Sequence, residues 1–260
     1  MTMLPGSEAV KAVYLDPKTG VLAGVTEATK SSPRQKTLME CGTIENATIL
    51  EVGKATDETS SQLASGSTLD FVDAPVSGGP MGAEAGSLCF MVGADKPEQS
   101  FDKVKDVLSH MGKSDSIFLC GKVGAGVSFK IINNYLSAIT SLAASEALNI
   151  GVKLGLDPKT LTNVINASGG QCWITSHSNP VPGVQPNVPS SRGYEGGFRI
   201  ELCKKVLQMG IDLAGDAGAR TILDRPTLAA FEECAADSRY KGKDARVVYK
   251  WLNESEDSTR

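Results

Sequence analysis

From residue 1 to about 120, short β-rich runs alternate with stretches in which apolar residues recur every three or four positions. That alternation predicts an α/β layer with parallel strands. The β-rich runs fall at 36–41, 68–73, 87–92 and 116–120, and the amphipathic stretches at 7–15, 44–63 and 97–111. Thr43 stands where it would cap the second of these helices. Residues 30–34 form a polar connector around Pro33. Past Gly121 the strand pattern stops and helical periodicity takes over, so the chain is expected to divide into 1–121 and an all-helical 122–260. Residues 127–153 read as one long helix, apolar on most of its circumference and suited to burial between packed layers. Further helices are predicted at 158–167, 198–214, 225–236 and 244–252. Between them, 177–197 carries four prolines and four glycines without periodicity, a loop of the length that is either functional or disordered.

Composition narrows the classes. The 260 residues are 41% hydrophobic and 22% charged, an ordinary globular balance with room for two domains. The net charge of -4 comes from 26 bases and 30 acids spread along the chain, with no basic block to neutralise phosphates, which argues against nucleic acid as a partner. The richest apolar stretch, 127–156, is interrupted by Lys130, Glu146 and Lys153, so no membrane span is expected. Six scattered cysteines without a C-x-x-C pair read as reduced thiols of an intracellular compartment. With only His110 and His177, and no ligand-like spacing around either, a metal site is not expected. The opening Met-Thr-Met-Leu-Pro lacks the pattern of a targeting peptide.

Lys130 interrupts a helix otherwise furnished with Phe129, Ile131, Ile132, Tyr135, Leu136 and Ile139. Asn134 lies one turn further on, and Ser137, Ser141 and Ser145 continue the same stripe, a polar seam that could line a cleft. The residues leave open the alternative of a lysine snorkelling to solvent above serines that merely permit close helix packing. The run D-A-P-V-S-G-G at 73–79 follows a predicted strand, at the end where open α/β sheets hold ligands. Its Ser77, Gly78 and Gly79 could offer a hydroxyl and backbone N–H groups to an anion, or form only a tight turn. Gly124-Ala-Gly126 is the one G-x-G of the chain and lacks the third glycine of a phosphate loop, so it reads as close packing at a helix start.

Taken together, these segments resemble the 3-hydroxyisobutyrate dehydrogenase branch of the β-hydroxyacid dehydrogenases, from Met3 almost to the C-terminus. Met3-Leu4-Pro5 is similar to the family's M-L-P strand end, Gly42-Thr43-Ile44 to its S-T-I segment, and 73–79 to its substrate motif. Gly124-x-Gly126-x-x-x-Lys130-x-x-Asn133-Asn134 resembles its catalytic helix. Cys172-Trp173, Asn179-Pro-Val-Pro-Gly183 and Tyr194-x-Gly196-Gly197-Phe198 are similar to the 3-hydroxyisobutyrate branch in particular. The chain departs from the pattern at Ala9, at Gly42 (serine in the family) and at Val206, where an aspartate normally follows the lysine matched by Lys205.

The resemblance implies a truncated Rossmann-type parallel sheet joined through a long interdomain helix to an all-α domain. In it, 1–121 would be an incomplete dinucleotide-binding domain carrying the substrate motif, short of its glycine-rich opening by roughly 60–80 residues. It implies an oxidoreductase that converts 3-hydroxyisobutyrate to methylmalonate semialdehyde in valine catabolism. The cofactor would be NAD, with NADP open, because the residue that selects between them would belong to the missing opening. Lys130 would be the catalytic acid/base; Ser77, Gly78, Gly79 and Asn134 would bind substrate; Leu4, Pro5, Thr43 and Lys205 would approach the cofactor. A homodimer or higher homo-oligomer and a mitochondrial location follow from the same resemblance, with a cytoplasmic one open. Two other readings stand beside it: a catalytically incomplete chain acting as an oligomerisation partner, and an enzyme for another small β-hydroxy acid.

Overall fold

The computed structural model describes residues 1–254. It opens with α1 (Ser7–Leu15), α2 (Val21–Thr29), β1 (Gln35–Glu40), α3 (Asn46–Ser61), β2 (Thr68–Asp73), β3 (Val76–Ser77) and α4 (Gly79–Glu84). Then come β4 (Leu88–Ala94), α5 (Pro97–Leu108), β5 (Gly112–Gly121) and the 29-residue helix α6 (Ala125–Lys153). The remainder is helical: α7 (Pro158–Asn166), α8 (Trp173–His177), α9 (Ile200–Asp216), α10 (Asp224–Ala236) and α11 (Val248–Glu254), with short 3-10 turns at Pro189–Arg192 and Ala245–Val247. The expected class, a Rossmann-like α/β sheet followed by a helical domain opened by one long helix, is what the chain forms. Two compact units, Met1–Ile131 and Ile132 onward, divide within α6.

The sheet is mixed rather than parallel throughout. β1 runs parallel to β2 and β4 parallel to β5, but β2 and β3 both pair with β4 antiparallel. The cause is the link from β2 to β4, which holds only β3 and the six-residue α4. A parallel return needs a crossover as long as the strand it spans, and α4 is too short to supply it. β2 meets β4 only at Val72 and Asp73, after which β3 takes over the same edge through Val76 and Ser77. Thr2 extends the other side of the sheet by a parallel bridge to Glu40.

Both faces of the sheet are covered, because alternate residues of a strand point to opposite sides. Phe71 meets the ring of Tyr14 edge-on, with centroids 5.8 Å apart, on the α1 and α3 side. Its neighbour Val72 packs with Met39, Phe90, Val92, Val104 and Leu108 on the α5 side. Helix α2, unforeseen from the sequence, is a nine-residue run of small residues around Gly24, too weakly periodic to stand out. Thr43 does not cap α3: the helix starts at Asn46, with Glu45 at its N-cap and no side-chain cap bond.

In the helical unit, Ile200, Leu207, Leu228, Phe231, Tyr240 and Val248 belong to one buried cluster. The loop over 178–197 is ordered and knitted into that unit. Asn179, almost fully buried, donates through Nδ2 to Thr162 Oγ1 and accepts from Val181 N. Tyr194, held at a positive φ of 63°, donates its hydroxyl to Pro180 O at 2.8 Å. Asp244 accepts from Phe198 N at 2.8 Å and Arg246 N at 2.9 Å, and a Cβ on Gly197 would lie 2.3 Å from its Oδ2. Glycine at 197 is therefore required by the approach of that carboxylate. Replacing Asp244 by leucine strands both N–H groups and the Arg246 guanidinium, and is expected to cost about 2–4 kcal/mol. Urea denaturation of the variant, with the midpoint unmoved, would contradict this account of the loop.

Candidate active site

The site is organised by Asp73, the last residue of β2, which is fully buried. Its Oδ1 accepts from Gly124 N at 2.8 Å and its Oδ2 from Val127 N at 2.7 Å, so a strand-end carboxylate caps the first turn of α6. Burial pushes its acid strength down, to a pKa of about 6, against the two backbone donors that pull the other way. Glycines make the approach possible: a Cβ at Gly126 would sit 2.2 Å from Met91 O, and one at Gly93 would sit 2.3 Å from Asp73 Oδ1. The expectation that Gly124 and Gly126 serve close packing is met. Asn46, in the opening turn of α3, adds a second tie by donating to Ser128 Oγ at 2.6 Å.

So anchored, the first turns of α6 carry Lys130 into a site where it is only 8% exposed. Loss of hydration lowers its pKa to about 8, and the thiol of Cys89 lies within electrostatic range of the ammonium. Cys89 is the cross-strand partner of Ser77 in the β3–β4 pair. Lysine and serine are thus drawn toward the same stretch of sheet. Ser77 is half-buried, while Gly78 and Gly79 are exposed at φ of 138° and 61°, a bend that favours glycine. Asn134 is half-buried one turn beyond Lys130 on α6, with a weak 3.5 Å bond from Asn133 Nδ2.

The rest of the anticipated polar seam has a plainer role. Ser141 and Ser145 are buried and return their hydroxyls to the carbonyls of Ser137 and Ser141 on their own helix, which is how serines permit close helix packing. Nor is α6 apolar and buried all round, since Phe129, Ile132, Leu136 and Ile150 are exposed.

Leu4 and Thr43 are half-buried and Pro5 is exposed, in the segments that leave two adjacent parallel strands, the Thr2 bridge and β1. Sequence reasoning missed what joins these segments. Glu40, fully buried, accepts from Thr2 Oγ1 at 2.6 Å, Leu4 N at 3.2 Å and Gly42 N at 2.7 Å. A lone acid at the end of an apolar run was the available signal. Just beyond, Ser7 Oγ in α1 and Asn46 Oδ1 in α3 are buried without a hydrogen-bond partner. Buried polar atoms seek partners, so these two orphans, in the helices that follow the Leu4–Pro5 and Thr43 segments in the chain, suit a site for a polar ligand. Lys205 is half-buried on α9 of the helical unit.

A serine-glycine turn at a strand end, a buried lysine and a Rossmann-like sheet suit a nucleotide-linked dehydrogenase. Residues 1–124 match the NAD binding domain of 6-phosphogluconate dehydrogenase, and 124–252 the NAD-binding region of NADP-dependent 3-hydroxyisobutyrate dehydrogenase. A probable mitochondrial 3-hydroxyisobutyrate dehydrogenase of Dictyostelium discoideum is 39% identical over 255 residues, 98% of this chain and 73% of that protein. The 3-hydroxyisobutyrate dehydrogenase of Pseudomonas aeruginosa is 37% identical over 251 residues, 96% of this chain and 78% of its own length. Among solved structures, the Mycobacterium tuberculosis 3-hydroxyisobutyrate dehydrogenase with L-serine superposes with a TM-score of 0.80 at 32% identity, covering 96% of this chain and 78% of that one. The chain belongs to the 3-hydroxyisobutyrate dehydrogenase family of NAD(P)-dependent β-hydroxyacid dehydrogenases.

Two outcomes follow from the geometry. Gly126→Ala forces a methyl into the Met91 carbonyl and should destabilise the fold by about 1–3 kcal/mol, read from its denaturation midpoint. Lys130 is charged in the folded and unfolded states alike below pH 8, where burying the charge costs stability. That cost fades as pH rises through the folded value of about 8 toward the ordinary 10.5. Lys130→Met should therefore raise stability near pH 6–7 by up to roughly 3 kcal/mol, with the gain shrinking toward pH 10. A gain that is flat across that range in melting experiments would show that the lysine is not desolvated.

Proposed function

We propose that the chain catalyses NAD-linked oxidation of 3-hydroxyisobutyrate to methylmalonate semialdehyde, a step of valine catabolism. The observation that carries the proposal is Lys130, buried to 8% exposure with its proton held loosely enough to exchange near neutral pH. Ser77, Gly78 and Gly79 receive the substrate carboxylate by hydroxyl and backbone N–H. Asn134 holds the substrate hydroxyl beside Lys130. Neutral Lys130 takes that proton as the alcohol is oxidised, and the ammonium returns it when the aldehyde is reduced. NAD held there would supply the acceptor for the hydride of the carbinol carbon, with NADP as the alternative coenzyme. Leu4, Pro5 and Thr43 line the coenzyme; for Lys205 that role rests on the resemblance alone. The domain assignment behind this reading is an incomplete dinucleotide-binding region at 1–121, carrying the substrate turn, and a helical region from 122, whose last residues, 255–260, lie outside the described ones.

The substrate is a small 3-hydroxy acid. L-serine, named with the Mycobacterium tuberculosis relative, is itself a β-hydroxy acid and supports a second reading, turnover of another member of that class. Rates on 3-hydroxyisobutyrate, serine and glycerate separate the two. The exposed row Phe129, Ile132 and Leu136 supports self-association as a homodimer or larger homo-oligomer. Relatives named as mitochondrial support that location, and a cytoplasmic one stands as the alternative.

With neutral lysine as the base, kcat/KM for alcohol oxidation should rise with pH and level off above about 8, while aldehyde reduction falls over the same range. Lys130→Ala should lower oxidation by about 100-fold or more while NADH still quenches Trp fluorescence. Undiminished turnover removes Lys130 from the reaction. A chain that binds no NADH instead favours the remaining reading, in which it serves only as an oligomerisation partner.

A further inference from the structure

We infer that Glu40 is a positioning residue for the coenzyme: its carboxylate fixes the spacing of the Leu4 and Gly42 backbones and thereby aligns the two segments assigned to the dinucleotide. The inference rests on the function proposed above. Glu40 ends β1 and is 0% exposed, where a charge persists only with full hydrogen bonding. One oxygen, Oε1, takes both Leu4 N and Gly42 N; the other takes the Thr2 hydroxyl. Thr2 Oγ1 also shares a hydrogen bond with the Tyr14 hydroxyl, which ties the Thr2 side chain to α1. The carboxylate thus joins the segment leaving the Thr2 bridge to the segment leaving β1, at the edge of the sheet where both emerge. A side chain serving only to fill the core here would be apolar; a fixed acceptor for two loop amides serves their register.

The same contact explains why position 42 is glycine where the resemblance expects serine. A Cβ there would lie 2.7 Å from Glu40 Oε1 and 2.7 Å from Leu4 O, so the carboxylate and the neighbouring segment fill that space. Shortening the acid by one methylene would free part of it. The residues at 40 and 42 are coupled: a side chain at 42 beside Glu40 must displace the carboxylate or the Leu4 segment.

The test compares the full chain with Glu40→Leu, Glu40→Gln, Gly42→Ser and the double variant Glu40→Asp/Gly42→Ser. NADH binding is followed by fluorescence, coenzyme KM and kcat by turnover, and the Leu4 and Gly42 amides by hydrogen exchange. Glu40→Leu is expected to weaken NADH binding about tenfold and to raise coenzyme KM in step, with kcat at saturating coenzyme within about twofold of the parent. Glu40→Gln, which keeps one acceptor oxygen, should recover most of that loss. The double variant should bind more tightly than Gly42→Ser alone. If Glu40→Leu does not fold, Glu40→Gln and the serine pair carry the test. Glu40→Leu binding NADH like the parent, or amides of Leu4 and Gly42 that exchange unchanged without the carboxylate, would overturn the role of Glu40. A parent chain that fails to bind NADH would overturn the proposed function itself, and this role with it; the exchange data would still report on the clamp.

Discussion

Two short hydrogen bonds from Gly124 and Val127 to the buried carboxylate of Asp73 join the end of β2 to the start of α6. Most of what the sheet unit offers chemically depends on that junction. The carboxylate satisfies backbone donors that the opening turn of a helix leaves orphaned, and its charge opposes the positive end of the helix dipole. Because β2 is held within the sheet by β1 and β4, the helix start inherits the rigidity of the sheet. Lys130 sits one and a half turns further along, so its position is a consequence of where the capping carboxylate lies. The glycines at 93 and 126 are the steric condition for the arrangement, each leaving room where a Cβ would meet an oxygen.

A buried ammonium is expensive, and among the described residues Lys130 is the one lysine where the fold accepts that expense. Lys130 lies near the β3–β4 pair, with Cys89 within electrostatic range and Ser77 across the strand from that cysteine. Desolvation is what brings its proton into the range of neutral chemistry, so the destabilising feature and the useful one are the same. Glu40, at the end of β1, is likewise buried, met by fixed donors and used to hold two segments in register. In the helical unit, Asp244 does the same for the 178–197 loop, whose family markers Asn179, Tyr194 and Gly197 prove to be structural ties within the loop and from it to Thr162 and Asp244. Asp73, Glu40 and Asp244, three of the four buried acids among the described residues, each organise a junction of the chain.

What the sequence determined by itself was the alternation of elements, the change from mixed to helical architecture after Gly121, the long helix and the two motifs around Ser77 and Lys130. These are legible because period-2 and period-3.6 patterns and clustered glycines are local properties of the chain. The antiparallel return of β4, the short α2, the loss of Thr43 as a cap and the burial of Ser141 and Ser145 in helix packing were decided by tertiary structure. The reason is physical: strand direction depends on how the connecting segment folds, here into β3 and a short α4 and not a full crossover, and a side chain's role depends on which distant backbone groups reach it. Glu40 shows the limit most plainly, since its three donors come from residues 2, 4 and 42, a set that only the closed sheet brings around one carboxylate.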